Sequence, residues 1–143
     1  MSASMRLIGL LAYGLATFLS FPHPLDAFGG AVLDLGAIVS WLVAPLLWLS
    51  LRGLPPGRSA WLAFLGGWLA HWALFHWIYV VTVRYGNAPP VVGVLAPAAL
   101  ALYPAAALAG FGAASSALER RGCGGPWLLA LLVLPILRRR RSC

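Results

Sequence analysis

The sequence predicts an all-α fold: a polytopic membrane helical bundle with four transmembrane helices and a short, incomplete or interfacial fifth segment. Composition is the first observation behind this prediction, because 62% of the 143 residues are hydrophobic and only 9% are charged. A soluble domain is about half apolar and a quarter charged, so this chain has too little polar surface for a water-soluble fold. The second observation is that apolar runs recur near the length of about 20 residues that a span requires.

The four apolar runs cover residues 7–21, 31–51, 60–83 and 91–118. The first run follows Arg6, and a positive residue before an apolar stretch is also typical of a signal peptide. No small-x-small cleavage pattern is evident before Gly29, so an uncleaved helix is the favoured interpretation.

The arginines predict the topology of these runs. The net charge of +7 comes from ten arginines against three acids, with no lysine. If four helices alternate, one side receives Arg6, Arg52, Arg58, Arg120 and Arg121. The opposite loops hold only Arg84, a positive-inside pattern that places the amino terminus in the cytoplasm. Nucleic-acid binding is disfavoured, because no soluble basic fold accompanies the charge.

The run at 127–137 is too short to span, and Pro135 interrupts it. Arginines follow it at 138–141, and a fifth crossing would place them outside. We therefore expect the segment at the inner interface or as an incomplete helix, with a cytoplasmic basic carboxyl terminus. The basic tail would fix the topology or bind anionic lipid.

Aromatic residues of the third run recur at three- and four-residue steps and predict one broad face. The face consists of Trp61, Leu65, Trp68, Trp72, Phe75 and Tyr79. Small residues at Gly66, Gly67, Ala70 and Ala73 would let another helix approach closely. The face is interpreted as packing with interfacial anchoring, and the functional alternative is the wall of a lipid-accessible cleft.

The fourth run is rich in alanine and carries Pro97 and Pro104 seven residues apart, which would bend it on one face. Ala106, Gly110 and Ala114 form a small-xxx-small track that predicts close helix contact.

His71 and His76 are weak polar candidates for function, because ionisable residues in or near a bilayer are functional by default. Their five-residue spacing turns about 140° around a helix, so they do not share a face as metal ligands would. We expect neutral, hydrogen-bonded histidines. The sequence predicts no metal site, no cofactor and no catalytic constellation.

The remaining reactive or charged residues have ordinary interpretations. Asp26 and Asp34 would cap a helix or be solvated, and Cys123 and Cys143 are expected to be unpaired thiols.

The end of the third run supplies the lipid-interface candidates: Trp77, Tyr79, Arg84 and Tyr85. Tryptophan and tyrosine gather at the lipid–water boundary, and an arginine there can meet lipid phosphate. The sequence from Gly86 to Pro90 then predicts a turn into the fourth run.

Three stretches, in this order and spacing, carry a family resemblance. They are LSFPHPLD at 19–26, VAPLLWLSLRG at 43–53 and HWIYVVTVRYGNAPP at 76–90. Together they resemble the amino-terminal membrane region of bacterial apolipoprotein N-acyltransferases over residues 5–125. The resemblance implies a transmembrane domain at 1–125 and a short apolar segment with a basic tail at 126–143.

The resemblance also implies an activity and a location. Members of that family are multi-pass proteins of the bacterial inner membrane. They move an acyl chain from a phospholipid to the amino-terminal cysteine of a lipoprotein, using a Cys nucleophile with Glu and Lys in a nitrilase-like domain. This chain has no lysine and lacks that domain, and neither Cys123 nor Cys143 matches the nucleophile. We expect an amino-terminal piece that is not catalytic alone, with a gene truncation or a frameshift as its two possible origins.

The expected partners are the phospholipid bilayer and a lipoprotein or a missing catalytic domain. One alternative is a standalone small membrane protein that binds lipid or a helical partner. A transporter fragment is a third interpretation, which lacks paired charges and broken-helix repeats.

Overall fold

Helices dominate the described part of the chain, as the sequence predicts. The computed structural model describes residues 2–21, 23–25, 31–33 and 36–122. In chain order the elements are α1 (Ala3–Leu19), β1 (His23–Leu25), β2 (Ala31–Leu33), α2 (Gly36–Leu51), α3 (Pro56–Leu74), α4 (Trp77–Tyr79), a π-helix (Val80–Tyr85), α5 (Pro90–Leu100) and α6 (Leu102–Arg120).

Local sequence explains where the first and third helices begin. The Ser2 hydroxyl accepts a hydrogen bond from the Met5 N–H at 3.3 Å and caps α1. Helix α3 begins with Pro56 at its first position, where the missing N–H has no helical partner to lose.

The start of the second run was predicted wrongly. Residues 31–33 pair as an antiparallel strand with 23–25, in the register His23 to Leu33 and Leu25 to Ala31. The helix that was expected from residue 31 begins at Gly36 instead. An apolar run does not distinguish a strand from a helix by periodicity alone, and here the strand pairing takes its first residues.

The third run was predicted as one helix and is instead broken. Helix α3 ends at Leu74, and the following segment Trp77–Tyr85 is bent from it by 46°. The bend leads into the π-helix, a common place for helix kinks. There the Thr82 hydroxyl donates to the Ile78 carbonyl at 2.8 Å, within a β-branched sequence that suits an α-helix poorly.

Helices α5 and α6 together form the longest apolar helical segment. Pro90–Arg120 covers 31 residues, its most apolar window has a mean hydropathy of 2.0, and in the described chain it is the one helix long and apolar enough to span by itself. Pro104 is the third residue of α6, where its missing N–H leaves no helical bond unmade.

The remaining helices meet the length requirement less well. Helix α3 with the bent segment after it could form a second span, while Ala3–Leu19 and Ile38–Leu51 are shorter apolar helices. Four transmembrane crossings therefore remain a prediction.

Helix packing depends on small residues. Helix α3 packs most extensively on α6, and α1 packs on α2 and α3, around a core of Tyr13, Leu47, Leu51, Ala63 and Ala70. A Cβ added at Gly67 would lie 2.5 Å from Leu108 Cδ1, and one at Gly112 would lie 2.8 Å from the Ser59 carbonyl oxygen. Glycine is therefore required where α3 crosses α6.

The small-xxx-small track of the fourth run does not form this contact. Ala106, Gly110 and Ala114 are exposed, and a Cβ at Gly110 would meet nothing within 4 Å. Within the described chain the α3 contact uses buried Ala105 and Gly112 instead.

Candidate functional site

The four lipid-interface candidates lie together in the bent segment after α3. Trp77 and Tyr79 are on α4, and Arg84 and Tyr85 are in the π-helix. Trp77 is 55% exposed and Tyr85 82% exposed, and Arg84 is also exposed. Tyr79 differs from the others, because its ring lies against α5, where a Cβ at Gly93 would be 2.7 Å from Tyr79 Cδ2. The segment thus presents three side chains outward and one toward a neighbouring helix.

An open groove of about 610 Å³ lies between this segment, α3 and α5. We call it the α3–α5 groove. Its lining residues are Leu69, Trp72, Ala73, His76, Tyr79, Val80, Gly93, Val94 and Pro97. Gly93 adds no side chain to the wall that α5 forms, and most lining side chains are apolar. A groove of this volume and character suits an apolar ligand.

The structure separates the two histidines, as their spacing predicts. His76 lines the groove, whereas His71 does not. His71 Nδ1 lies 2.8 Å from the Gly67 carbonyl oxygen, and His76 Nδ1 lies 3.0 Å from that of Ala73. A carbonyl oxygen only accepts, so each contact requires a proton on Nδ1. Both imidazoles then serve as hydrogen-bonded donors within their own helical turn.

The aromatic face is divided between two roles. Trp72 lines the groove and stacks on Trp68, with ring centroids 5.4 Å apart. The Trp68 Nε1–H donates to the Ala98 carbonyl at 2.8 Å, across from α3 to α5. No feature of the sequence indicates this bond, because Pro97 and Pro104 lack the N–H groups for the carbonyls of Gly93 and Leu100 and do not free that of Ala98.

A polar cluster lies at the other end of the bundle. Arg52 Nε is 3.6 Å from Glu119 Oε1, and the Gly53 N–H donates to Glu119 Oε2 at 3.2 Å. Arg6 Nη1 donates to the Arg52 carbonyl at 3.1 Å. Charged side chains of three chain segments, Arg6, Arg52 and Glu119, are thus brought to one end.

No candidate metal centre is formed by the described residues. Within residues 2–21, 23–25, 31–33 and 36–122, no group of three or more His, Cys, Asp or Glu side chains could hold a metal ion. Glu119, paired with Arg52, belongs to the end away from the groove. Asp26, Asp34, Cys123, Cys143 and the run at 127–137 lie outside the described residues.

The helical fold and the long apolar segment define a class: a helical protein with at least one segment, among the described residues, long and apolar enough to span a membrane. The family model for the apolipoprotein N-acyltransferase N-terminal domain matches residues 13–137 of this chain. The chain therefore belongs to that family of inner-membrane proteins. No curated protein and no solved structure matches the chain significantly.

Proposed function

We propose that this chain is the membrane-embedded region of an apolipoprotein N-acyltransferase-like protein, and that its α3–α5 groove holds the acyl chain of a phospholipid. The family match over residues 13–137 carries the proposal. In that family's reaction an acyl chain passes from a phospholipid to the amino-terminal cysteine of a lipoprotein.

The groove has the properties that an acyl chain requires. Its walls are largely apolar, it is open along one side, and His76 is the ionisable side chain among its lining residues. Trp77 and Tyr85 project near its end as interfacial anchors. Arg84 follows in the π-helix, where a guanidinium could meet the phosphate of the same lipid.

The proposal includes a four-span topology with the arginine-rich end inside. Support comes from exposure: in the most apolar window of Pro90–Arg120, only 22% of the residues are buried. A core helix of a soluble protein would be mostly buried. Large exposed apolar surfaces mark contact with lipid or with partner proteins.

We also propose that acyl transfer requires groups outside these residues. Nucleophilic catalysis needs an activated nucleophile with a positioned base, and the described carboxylate Glu119 is paired with Arg52 at the far end. An acyltransferase assay on the purified chain is expected to show no thioester and no acylated lipoprotein. Reading the gene in all frames downstream of codon 143 tests whether a catalytic domain is encoded there.

The groove is tested by cross-linking in reconstituted vesicles. A phospholipid with a diazirine in its acyl chain is expected to cross-link at the groove residues. Ala73→Leu, which enlarges an exposed side chain on the groove wall, should reduce that cross-linking severalfold. Gly110→Leu is the matched control, because the space at Gly110 is open and lies outside the groove. Equal losses in both variants, or cross-links spread evenly over all exposed helices, would refute the assignment.

A standalone module with a helical partner is the second candidate function. The observation that favours it is the exposed track of Ala106, Gly110 and Ala114, because small residues let membrane helices approach closely. Protein–protein cross-linking in native membranes separates the candidates: a cross-linked partner lost in Gly110→Leu and retained in Ala73→Leu favours the partner-binding module.

A further inference from the structure

Among the described residues, the end of the bundle away from the groove carries more arginine than carboxylate. Its described charged residues are Arg6, Arg52, Arg58, Glu119, Arg120 and Arg121. One carboxylate thus faces several guanidinium groups within the described residues. Some of these guanidinium groups therefore need counter-ions from outside the described residues.

Glu119 is already engaged. Its Oε1 lies 3.6 Å from Arg52 Nε, its Oε2 accepts from the Gly53 N–H, and its side chain is only 18% exposed. The Arg52 guanidinium also lies over the Trp48 ring, 4.8 Å from the ring centroid. The carboxylate therefore serves to hold the α2–α3 turn against the end of α6.

Arg6 is engaged in a different way. Its Nη1 donates to the carbonyl oxygens of Ser50 at 3.5 Å and Arg52 at 3.1 Å. These carbonyls belong to the carboxyl end of α2 and the turn after it, where a cation offsets the negative end of the helix dipole.

Arg58 and Arg120 have neither kind of partner. Both side chains are exposed, and neither guanidinium forms a hydrogen bond or ion pair with another described residue. Arg58 lies in the first turn of α3, whose N-terminus has no side-chain cap. Arg120 ends α6, the helix on which α3 packs. The contacts of Ser59 with Gly112 and of Gly53 with Glu119 show that the two helices run antiparallel, so both arginines lie toward the same end.

Apolar surface adjoins the first of these cations. Trp61 follows Arg58 by three residues, which places it on the same side of α3, and it is 60% exposed. A cation beside an exposed tryptophan matches the layering of a lipid, with its phosphate above its acyl chains. A free phosphate would gain nothing from the tryptophan.

We propose that Arg58 and Arg120 form a binding surface for the phosphate of an anionic phospholipid headgroup. The guanidinium fork suits phosphate oxygens, with which it makes charge-assisted hydrogen bonds. This surface is distinct from the α3–α5 groove, and the inference rests on the proposed membrane placement.

The test uses the full chain, with its arginines at 138–141 unchanged in every variant. Purified protein in a neutral detergent is titrated with phosphatidylglycerol or phosphatidylcholine, and bound lipids are counted by native mass spectrometry. The wild-type protein is expected to prefer phosphatidylglycerol. Arg58→Gln and Arg120→Gln should each weaken that binding about fivefold, as expected for one arginine near an anionic surface. Arg6→Gln is the matched control, because it removes the same charge from the same end, at a guanidinium that already donates to the Ser50 and Arg52 carbonyls.

Further measurements make the outcome decisive. A variant with both Arg58→Lys and Arg120→Lys should retain most of the phosphatidylglycerol binding. Salt at about 0.5 M should weaken that binding, because the Debye length then falls to a few ångströms and the charges are screened. An equal loss in Arg6→Gln, or no preference for phosphatidylglycerol, overturns the proposal. Equal competition by inorganic phosphate or by an oligonucleotide also overturns it, since the surface would then accept any polyanion.

Flotation with phosphatidylcholine vesicles keeps this inference separate from the proposed function. A chain that does not float contradicts the membrane placement itself. A chain that floats yet binds both lipids equally contradicts only the headgroup site.

Discussion

Polar side chains in these helices bond mainly to the backbone of their own helix. The hydroxyl of Thr17 donates to the Tyr13 carbonyl at 2.9 Å, and that of Ser50 donates to Leu46 at 2.7 Å. His71 contacts the Gly67 carbonyl in the same way. Such bonds satisfy polar groups without a partner helix, as required where water is absent. The Trp68 bond to Ala98 differs, because it joins two helices.

This difference predicts the effect of Trp68→Phe. The variant keeps an aromatic ring to stack on Trp72 but leaves the Ala98 carbonyl without its donor. We expect a loss of about 0.5–1.5 kcal/mol in the free energy of unfolding, measured by denaturant titration in detergent. Trp72→Phe is the control, because no hydrogen bond from its indole is seen in the described structure. Equal losses in the two variants would show that ring size, and not the interhelical bond, stabilises this contact.

Among the elements, the contact between α3 and α6 depends on glycine at some positions and not at others. Gly67 lies against Leu108 and Ala105, and Gly112 against Ser59 and Ala63, whereas Gly110 of the same helix faces open space. The same glycine-to-alanine change at these positions therefore compares a tightly packed site with an open one.

Gly67→Ala and Gly110→Ala are expected to change stability in opposite directions. The first forces Leu108 aside and should cost about 1–3 kcal/mol, the usual range for overpacking. The second should gain about 0.5–1 kcal/mol, because alanine restricts the unfolded backbone and favours the helix. Thermal unfolding in detergent, followed by circular dichroism, measures both. A stabilised Gly67→Ala variant would contradict the close approach of α3 and α6.

The sequence predicted which segments are helical better than it predicted where each one ends or what it contacts. The helical class and the family followed from composition and from three short stretches. The strand pairing of 23–25 with 31–33 and the break after Leu74 did not, because both depend on contacts between segments that periodicity does not encode. The groove illustrates the same limit: Trp72, His76 and Tyr79 stood out in the sequence, but Gly93 and Pro97 complete the site from another helix.

For the whole molecule, the central contrast is between an apolar exterior and two polar ends. Tyr103 is 84% exposed. It lies about 20 Å along the helix from Pro90 and about 25 Å from Arg120, at a rise of about 1.5 Å per residue. In the proposed bilayer this position is near the midplane, although nothing in the described bundle covers it. The proposed bilayer therefore predicts that Tyr103, although exposed in the isolated chain, is shielded from water by lipid.

Cysteine labelling tests this separation together with the topology. In a background with Cys123→Ser and Cys143→Ser, single cysteines are placed by Tyr85→Cys, Gly57→Cys and Tyr103→Cys. A membrane-impermeant maleimide applied to intact spheroplasts should label the first variant only, since Tyr85 belongs to the proposed outer end. Gly57→Cys should label after permeabilisation, because it lies in the first turn of α3 at the arginine-rich end. Tyr103→Cys should resist both treatments and label once the protein is unfolded in detergent.

Labelling of Tyr85→Cys and Gly57→Cys from the same side would exclude an odd number of crossings between them, and ready labelling of Tyr103→Cys would place α6 in water. The expected pattern instead requires α3 with its bent segment to act as one broken span and α5–α6 to return through lipid, which is the arrangement that leaves the α3–α5 groove open to an acyl chain.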